Sequence, residues 1–323
     1  MKYVLENDYH INIIEKIELY GYEGWRDEEY YYFIISSNNR EAIHMEQAAL
    51  AYFLVENGFS QTTYPITTNE GKWFVIHDEK PYMVVRLEKV QDRPIDSIGK
   101  RLAQFHQLGF SYQYEPKLIS SYGLWKELWI QKVTVFEQKL VEEANTTKNA
   151  YHRLAMDVLP YIIGVSENAI QYLQESDSEM RFHEGDQGTI SFNRFRANLQ
   201  APMIWMNDLV YDHPTRDIAE YLRFSFFQHE QAPENAVAFL RDYQTIQPLS
   251  MFSWRLLYAR LIFPIHIYDF LEEGFRRKNY DERYPLFVHL VDKQSKYEKR
   301  LAQFFEALGI DAKAMRIPVL NWL

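Results

Sequence analysis

Two acidic stretches hold most of the side chains with which this chain could do chemistry. The first reads Phe182-His183-Glu184-Gly185-Asp186. The second reads Met203-Ile204-Trp205-Met206-Asn207-Asp208-Leu209-Val210-Tyr211-Asp212-His213-Pro214-Thr215-Arg216-Asp217-Ile218-Ala219-Glu220. They place carboxylates, histidines and a glycine in loops beside short β-branched runs. Phosphoryl transfer needs such a set: a carboxylate to take the acceptor's proton, then oxygen ligands for Mg²⁺ close behind it. The plainer reading is a polar loop whose acids cap helices and meet water.

Other chemistries lack their residues. There is no cysteine, hence no disulfide, thiolate metal site or cysteine nucleophile. No Gly-rich phosphate loop of the Walker or dinucleotide type occurs, no His-Glu-x-x-His pair and no Gly-x-Ser-x-Gly elbow. A net charge of −10 without a basic run argues against a nucleic-acid partner. The longest greasy segment, residues 256–271, is interrupted by Arg260, Pro264, His266 and Asp269, so no membrane span is expected. The acidic first residues lack the apolar stretch of a signal peptide, and a soluble, non-secreted protein is the expectation. The 24 Tyr, 21 Phe and 7 Trp are more than a soluble chain needs, and divide between core and a sticky assembly surface.

The elements that must position these loops come in two blocks. Residues 11–19 alternate irregularly up to a Gly-Tyr-Glu-Gly turn signal. Residues 30–36 form an aromatic, β-branched strand, with an outward tyrosine ring at an edge. A helix is expected over 42–57, with Met45, Ala49, Tyr52 and Phe53 on its inward stripe and Gly58 as its stop. Strands follow at 72–77 and 82–87 around the turn Asp78-Glu79-Lys80-Pro81. From the cap Asp96 the period turns helical, with Ile98, Leu102, Phe105 and Leu108 on one stripe. Further helices are expected near 124–144, 149–175, 215–229, 233–245, 250–274 (kinked by Pro264) and 283–308. A β island covers 182–205. Strands first and helices after argue an α+β fold, with an N-lobe over 1–90 and a C-lobe over 91–323.

The order of these segments resembles the aminoglycoside and choline phosphotransferase family, whose fold is bilobal and protein-kinase-like. It is most similar to that family's endospore-coat-associated branch, the CotS and YutH group. Arg93-Pro94-Ile95-Asp96 with Leu102-Ala103-Gln104-Phe105-His106 resembles the family's Gly-Arg-Pro-Leu … Leu-Ala-x-Leu-His passage. Tyr211-Asp212-His213-Pro214-x-x-Asp217-Ile218-Ala219 resembles its Tyr-Asp-x-Pro-x-x-Asp-Leu-Ala segment, the most specific match.

The resemblance also implies what is missing. Active members carry His-Gly-Asp in the catalytic loop, then Asn five residues on. Here Gly185-Asp186 fits the Gly-Asp step, so the resemblance implies Asp186 as a relic base; Glu184 stands for the His, with His183 one place earlier, and Asp208 is a metal ligand only if it swings in to replace a lost one. Ser191 stands for the Asn, and Asn193 would need a two-residue bulge to replace it. The metal-binding Asp falls at Trp205, which cannot ligate a hard cation. The phosphate-pairing Lys falls at Ile35, leaving Glu46 as the relic of a Lys–Glu pair. Asp217 reads as a loop anchor at a helix start, His183 as a satisfied core histidine and loop anchor, and His213 as a turn residue. Without the Lys and a firm Mg²⁺ shell, charge on a transferring phosphoryl group goes unneutralised.

Three functions compete. The first is a degenerate pseudokinase, needing no cofactor, with a structural or adaptor role among other proteins of the endospore coat, made in the mother-cell cytoplasm. The second is an active phosphotransferase using ATP and Mg on a small alcohol or amine, through relocated ligands. The third is a module holding a non-nucleotide ligand in the old cleft.

Overall fold

The computed structural model of the chain describes residues 2–37, 40–89, 97–178, 183–228 and 232–313. It has two compact units. The first comprises residues 1–120 and 188–212, the second 121–187 and 213–323. The expected cap Asp96 and the Arg93-Pro94 passage lie outside the described residues.

The first unit opens with α1 (Lys2–Asp8), a helix that no sequence signal announces. Six antiparallel strands follow: β1 (Glu15–Leu19), β2 (Tyr22–Arg26), β3 (Tyr30–Ser36), and then, after α2 (Glu41–Glu56), β4 (Tyr64–Ile66), β5 (Val75–His77) and β6 (Lys80–Glu88). The order is β1-β2-β3-β6-β4, with β5 paired to the start of β6. Strand β3 runs where the aromatic run places it. It is an interior strand rather than an edge, paired to β6 from Tyr30↔Glu88 to Ser36↔Tyr82. Its pleat sorts the side chains. Tyr32 joins Val4, Leu5, Tyr9, Ile13 and Val84 in the core that α1 covers. Phe33 and Ile35 alternate to the opposite face and are also buried.

Both tight hairpins use left-handed residues, as two-residue turns between twisted strands require. Tyr20 and Gly21 (φ 53° and 82°) close β1–β2, and Asp78 and Glu79 (φ 47° and 60°) close β5–β6. The segment expected as a strand from 72 pairs only from Val75.

Helix α2 holds its expected span but turns a different face inward. His44, Gln47, Ala48, Leu50, Ala51 and Leu54 are buried, while Ala49 is exposed. The reason is polar: Gln47 Nε2 donates to the carbonyls of Asn207 (2.8 Å) and Leu209 (3.2 Å). Helix α3 (Ile98–Phe110) starts at Ser97, whose hydroxyl accepts from the Lys100 N–H. Leu102 and Phe105 lie on its buried face. The hairpin β7 (Thr189–Phe192) and β8 (Leu209–Asp212) lies against α3. Thr189 Oγ1 donates to the His106 carbonyl at 2.9 Å. A Cβ on Gly109 would stand 2.1 Å from Thr189 Oγ1 and 2.7 Å from the Ile190 nitrogen, so only glycine permits the approach.

The second unit is helical. It comprises α4 (Trp125–Thr146), α5 (Ala150–Ser178), α6 (Thr215–Gln228), α7 (Ala232–Gln244), α8 (Met251–Ile262), α9 (Ile265–Arg277), α10 (Tyr280–Ala302) and α11 (Phe304–Ala307). From Phe252 to Ile262 every residue of α8 is buried, as befits a helix packed on α5 and α6. Pro264 ends this helix instead of kinking it. It has no N–H to continue the ladder, and α9 begins one residue later. The last expected helix starts earlier, at Tyr280, and divides near Gln303. Trp254, Tyr151, Tyr243, Tyr258, Tyr268 and Tyr297 are fully buried, so much of the aromatic load is core. No helix among the described residues is long and apolar enough to cross a membrane.

Candidate functional site

In the second unit, Asp186 ends a single 3₁₀ turn, Glu184–Asp186, and is 1 % exposed. Four groups donate to its carboxylate. Oδ1 receives Ser253 Oγ (2.6 Å), Ser250 Oγ (2.7 Å) and His213 Nε2 (3.3 Å); Oδ2 receives the His183 N–H (2.7 Å). Its backbone carbonyl accepts from Tyr122 Oη at 2.7 Å. Burial alone would favour the protonated acid. The bonds from His213, Ser253 and Ser250 outweigh it and hold the carboxyl below the ordinary aspartate range.

Two histidines exchange their expected places. His183, read as a core histidine, is exposed, and it serves the loop through its backbone N–H and through Nδ1, which accepts from Gly185 N at 3.3 Å. His213, read as a turn residue, is fully buried. Its Nδ1 accepts from the Thr215 N–H at 3.1 Å, which leaves Nε2 as the donor to Asp186. Trp125 and Phe252 meet its ring edge-on. Asp217 is fully buried in the first turn of α6. It lies close enough to Tyr243 for its charge to reinforce burial in raising that phenol.

The remaining candidates lie in the first unit. Glu46 has traded its expected lysine for backbone. Its carboxylate accepts from the N–H groups of Lys117 (2.9 Å), Leu118 (2.8 Å) and Ile119 (3.0 Å). Ile35, where the resemblance leads one to expect the lysine, is 6 % exposed. Trp205, where the resemblance leads one to expect the metal-binding Asp, stacks on Tyr22 with centroids 4.5 Å and planes 18° apart, and meets Phe33 edge-on at 5.4 Å.

Three residues on, Asp208 closes a 3₁₀ turn, Met206–Asp208. Burial raises its carboxyl, and no hydrogen bond or cation among the described residues offsets that. Its charge adds to burial in raising the Tyr22 phenol. Next to it, Asn207 Oδ1 is buried without a partner. Ser191 is fully buried, and its hydroxyl also lacks a partner. The β7–β8 pairing runs without a bulge through Phe192↔Leu209, so Asn193 follows the strand in regular register. Its N–H donates to the Asp208 carbonyl at 2.7 Å. Among the described residues no three His, Cys, Asp or Glu side chains gather where they could share a metal ion.

Sequence reasoning misses Ser250, Ser253 and Tyr22. Ser250 is legible as a helix cap, since its Oγ accepts from the Ser253 N–H at 2.9 Å. Nothing local links that cap to a carboxylate 64 residues earlier. Tyr22 reads only as part of a turn.

Known proteins share this architecture. A family model described as "Spore coat putative kinase YutH" matches residues 2–304. The endospore coat-associated protein YutH of Bacillus subtilis (strain 168) is 30% identical over 281 residues, covering 85% of this chain and 83% of that protein. Among solved structures, an aminoglycoside phosphotransferase from Alicyclobacillus acidocaldarius superposes with a TM-score of 0.63 at 15% identity, over 94% of each chain. The amicoumacin kinase hAmiN gives a TM-score of 0.56 at 14% identity, over 92% of each chain. The microcompartment-associated aminopropanol kinase gives 0.54 at 12% identity, over 95% of this chain and 97% of that one. At these identities the likeness is one of fold: mixed α+β, with a small antiparallel sheet and a large helical part.

Proposed function

The chain belongs to the spore coat putative kinase YutH family, and on that premise we propose that it is a catalytically degenerate, kinase-like protein with a structural or adaptor role among other proteins of the endospore coat. One observation carries this reading: an indole stacked on Tyr22 and edge-on to Phe33 fills the place where the family resemblance puts a metal-binding carboxylate. The other candidate positions support it. Ile35 offers a triphosphate no charge. Asp186 has its lone pairs occupied by four donors, which suits an anchor of the loop better than a base that must reach an acceptor hydroxyl. Glu46 is held by backbone and awaits no lysine. These residues do not fit an Mg·ATP complex, in which positioning and charge neutralisation do nearly all the catalytic work.

Calorimetric titration with Mg·ATP tests the degenerate reading. No saturable binding is expected, and Mg²⁺-dependent micromolar affinity would overturn it. The coat role has its own test: a fluorescent fusion made during sporulation is expected to collect on the forming spore, and a signal spread evenly through the mother cell would count against it.

One observation favours the second reading, a live phosphotransferase with relocated ligands. Asp208 carries a carboxyl with no compensating cation, beside the unpartnered Asn207 Oδ1. A pair of oxygens of this kind could take up a hard cation. ATP turnover of the wild type and of Asp186→Ala decides the matter: equal background rates end this reading.

A further inference from the structure

Cross-strand partners share one face of a pleated sheet. In the first unit, Arg86 of β6 stands opposite Tyr32 on β3 and Tyr64 on β4, and Tyr30 lies on the diagonal, opposite Glu88. On this face Tyr32 and Val84 join the core beneath α1, with Tyr30 packed against it.

Three features set Arg86 apart. Its guanidinium is fixed. It lies 4.5 Å from the ring centre of Tyr30 and 4.9 Å from that of Tyr64, and Nε donates to Tyr64 Oη at 2.7 Å. It is also unpaired. Burial works against its charge, and the phenols of Tyr64, Tyr30 and Tyr32 are what sustain it. Asp27, the acid nearest Tyr32, is taken up by that residue's hydroxyl (2.5 Å) and by the N–H groups of Glu29 (2.8 Å) and Tyr30 (2.7 Å). Finally, it is open: Nη1 and Nη2 carry no bond among the described residues and reach solvent. A guanidinium held in this way offers the fork of its Nη end in one orientation. A carboxylate can accept both N–H groups with little further ordering of the arginine.

The surroundings point to a protein as the source of that carboxylate. Tyr52 packs on Tyr64 and Trp73 on Tyr52, with ring centres 5.5 and 6.2 Å apart. Tyr30, Tyr52, Trp73 and Arg86 are all part-exposed. Tyr, Trp and Arg are the side chains that carry most of the energy at the centre of protein interfaces. A chain of net charge −10 repels acidic partners as a whole, so one framed cation dictates where a single acid can dock.

We propose that Arg86, framed by Tyr30 and Tyr64 with Tyr52 and Trp73 beside them, is the docking point for a carboxylate side chain of a partner protein. The proposal rests on the adaptor role above and names the chemistry that holds the partner. Glu88 lies near enough for its charge to add to burial in raising the Tyr64 phenol, and it turns away a second anionic group.

NMR of the full chain, titrated with N-acetylglutamate amide at fixed ionic strength, tests the chemistry. The Arg86 Nε–H resonance is expected to shift saturably, and the uncharged methyl ester of the probe is expected to leave it in place. Arg40, exposed and without a side-chain bond among the described residues, is the internal reference for loose ion pairing. An Arg86 resonance that moves no more than that of Arg40, or moves equally with the ester, would overturn the site. Arg86→Lys keeps the charge but loses the fork, and is expected to weaken binding about fivefold or more, followed at the amides of Tyr64 and Leu87. Equal binding by a folded Arg86→Lys would overturn the role of the fork. The partner is tested in sporulating cells, where a fluorescent fusion carrying Arg86→Lys is expected to leave the forming spore while the unaltered fusion collects on it. Equal collection of the two would overturn the docking role and leave the coat role standing. An unaltered fusion that fails to collect counts against the coat role, and the titration then decides the carboxylate site by itself.

Discussion

The rings of Trp205 and Tyr22 lie 4.5 Å apart and within 18° of parallel, joining the residue before the Met206–Asp208 turn to the first residue of β2. An offset aromatic pair of this kind adds about 0.5–1.5 kcal/mol to the area it buries. Phe33 closes the cluster edge-on from β3. Trp205→Ala is therefore expected to destabilise the first unit by about 2 kcal/mol, less than a fully buried tryptophan because the indole is only part-buried. Urea unfolding checks this, and a change under about 0.5 kcal/mol would mean that the rings merely touch. Trp205→Asp is expected to bring no Mg·ATP binding, since Ile35 still supplies no charge.

Glu46 offers a second test, because its partners are three consecutive backbone amides rather than a side chain. A carboxylate accepts three N–H groups more strongly than a neutral amide can, since charge-assisted bonds are about twice as strong. Glu46→Gln is expected to cost about 1–2 kcal/mol. It should also speed hydrogen exchange at Lys117, Leu118 and Ile119 ahead of their neighbours. Unchanged exchange at those amides would show that the segment holds its shape without the glutamate.

The elements were more legible than the contacts between them. Tyr30–Ser36 announces its strand because aromatic and β-branched residues suit a pleated, buried surface. The span of α2 is equally clear, but its inward face is not. Apolar periodicity favours Met45 and Phe53, whereas the buried side carries His44 and Gln47, whose amide reaches carbonyls about 160 residues away. The departures that the resemblance implies at Ile35 and Trp205 are read from the sequence alone, because a charge or a ligand is either present or absent. What replaced them is not, because Tyr22 and the Lys117–Ile119 amides come from distant segments with no motif of their own. His183 and His213 differ for the same reason: burial is a property of packing, and only the contacts with Trp125 and Phe252 reveal which ring is inside.

His266 carries a pH prediction. Burial, aided by the Arg223 charge, pulls its imidazole from 6.5 down to about 3, against the raising effect of the hydrogen bond it donates to Gln294. The neutral ring stays in contact with Gln294 Oε1 at 2.8 Å. The folded value is depressed, so the unfolded chain binds the proton first. This contribution is complete above about pH 6.5 and is lost as the pH falls toward the folded value. At pH 5 the loss is about 2 kcal/mol. Unfolding free energy measured from pH 7 to 4.5 is expected to fall less steeply in His266→Gln than in the wild type; parallel curves would show that the ring takes up its proton in the folded protein.

Asp186 answers the question of anchor or base through the same linkage. Its carboxylate accepts from Ser253, Ser250, His213 and the His183 N–H, and those bonds hold it below the ordinary aspartate value despite burial. An anchor of this kind stabilises the fold only while ionised. Its contribution is complete above the unfolded value of about 3.9 and is lost as the pH falls through the lower folded value. Asp186→Asn leaves buried donors facing a weaker acceptor and is expected to destabilise the protein by about 3–5 kcal/mol near neutrality. The gap between wild type and variant should stay constant from pH 7 to about 5 and narrow only below about pH 4. A residue poised as a general base would behave otherwise, with a value raised toward neutrality and a gap that changes between pH 5 and 7. Denaturant midpoints of the two proteins across that range separate the two roles without any assay of activity.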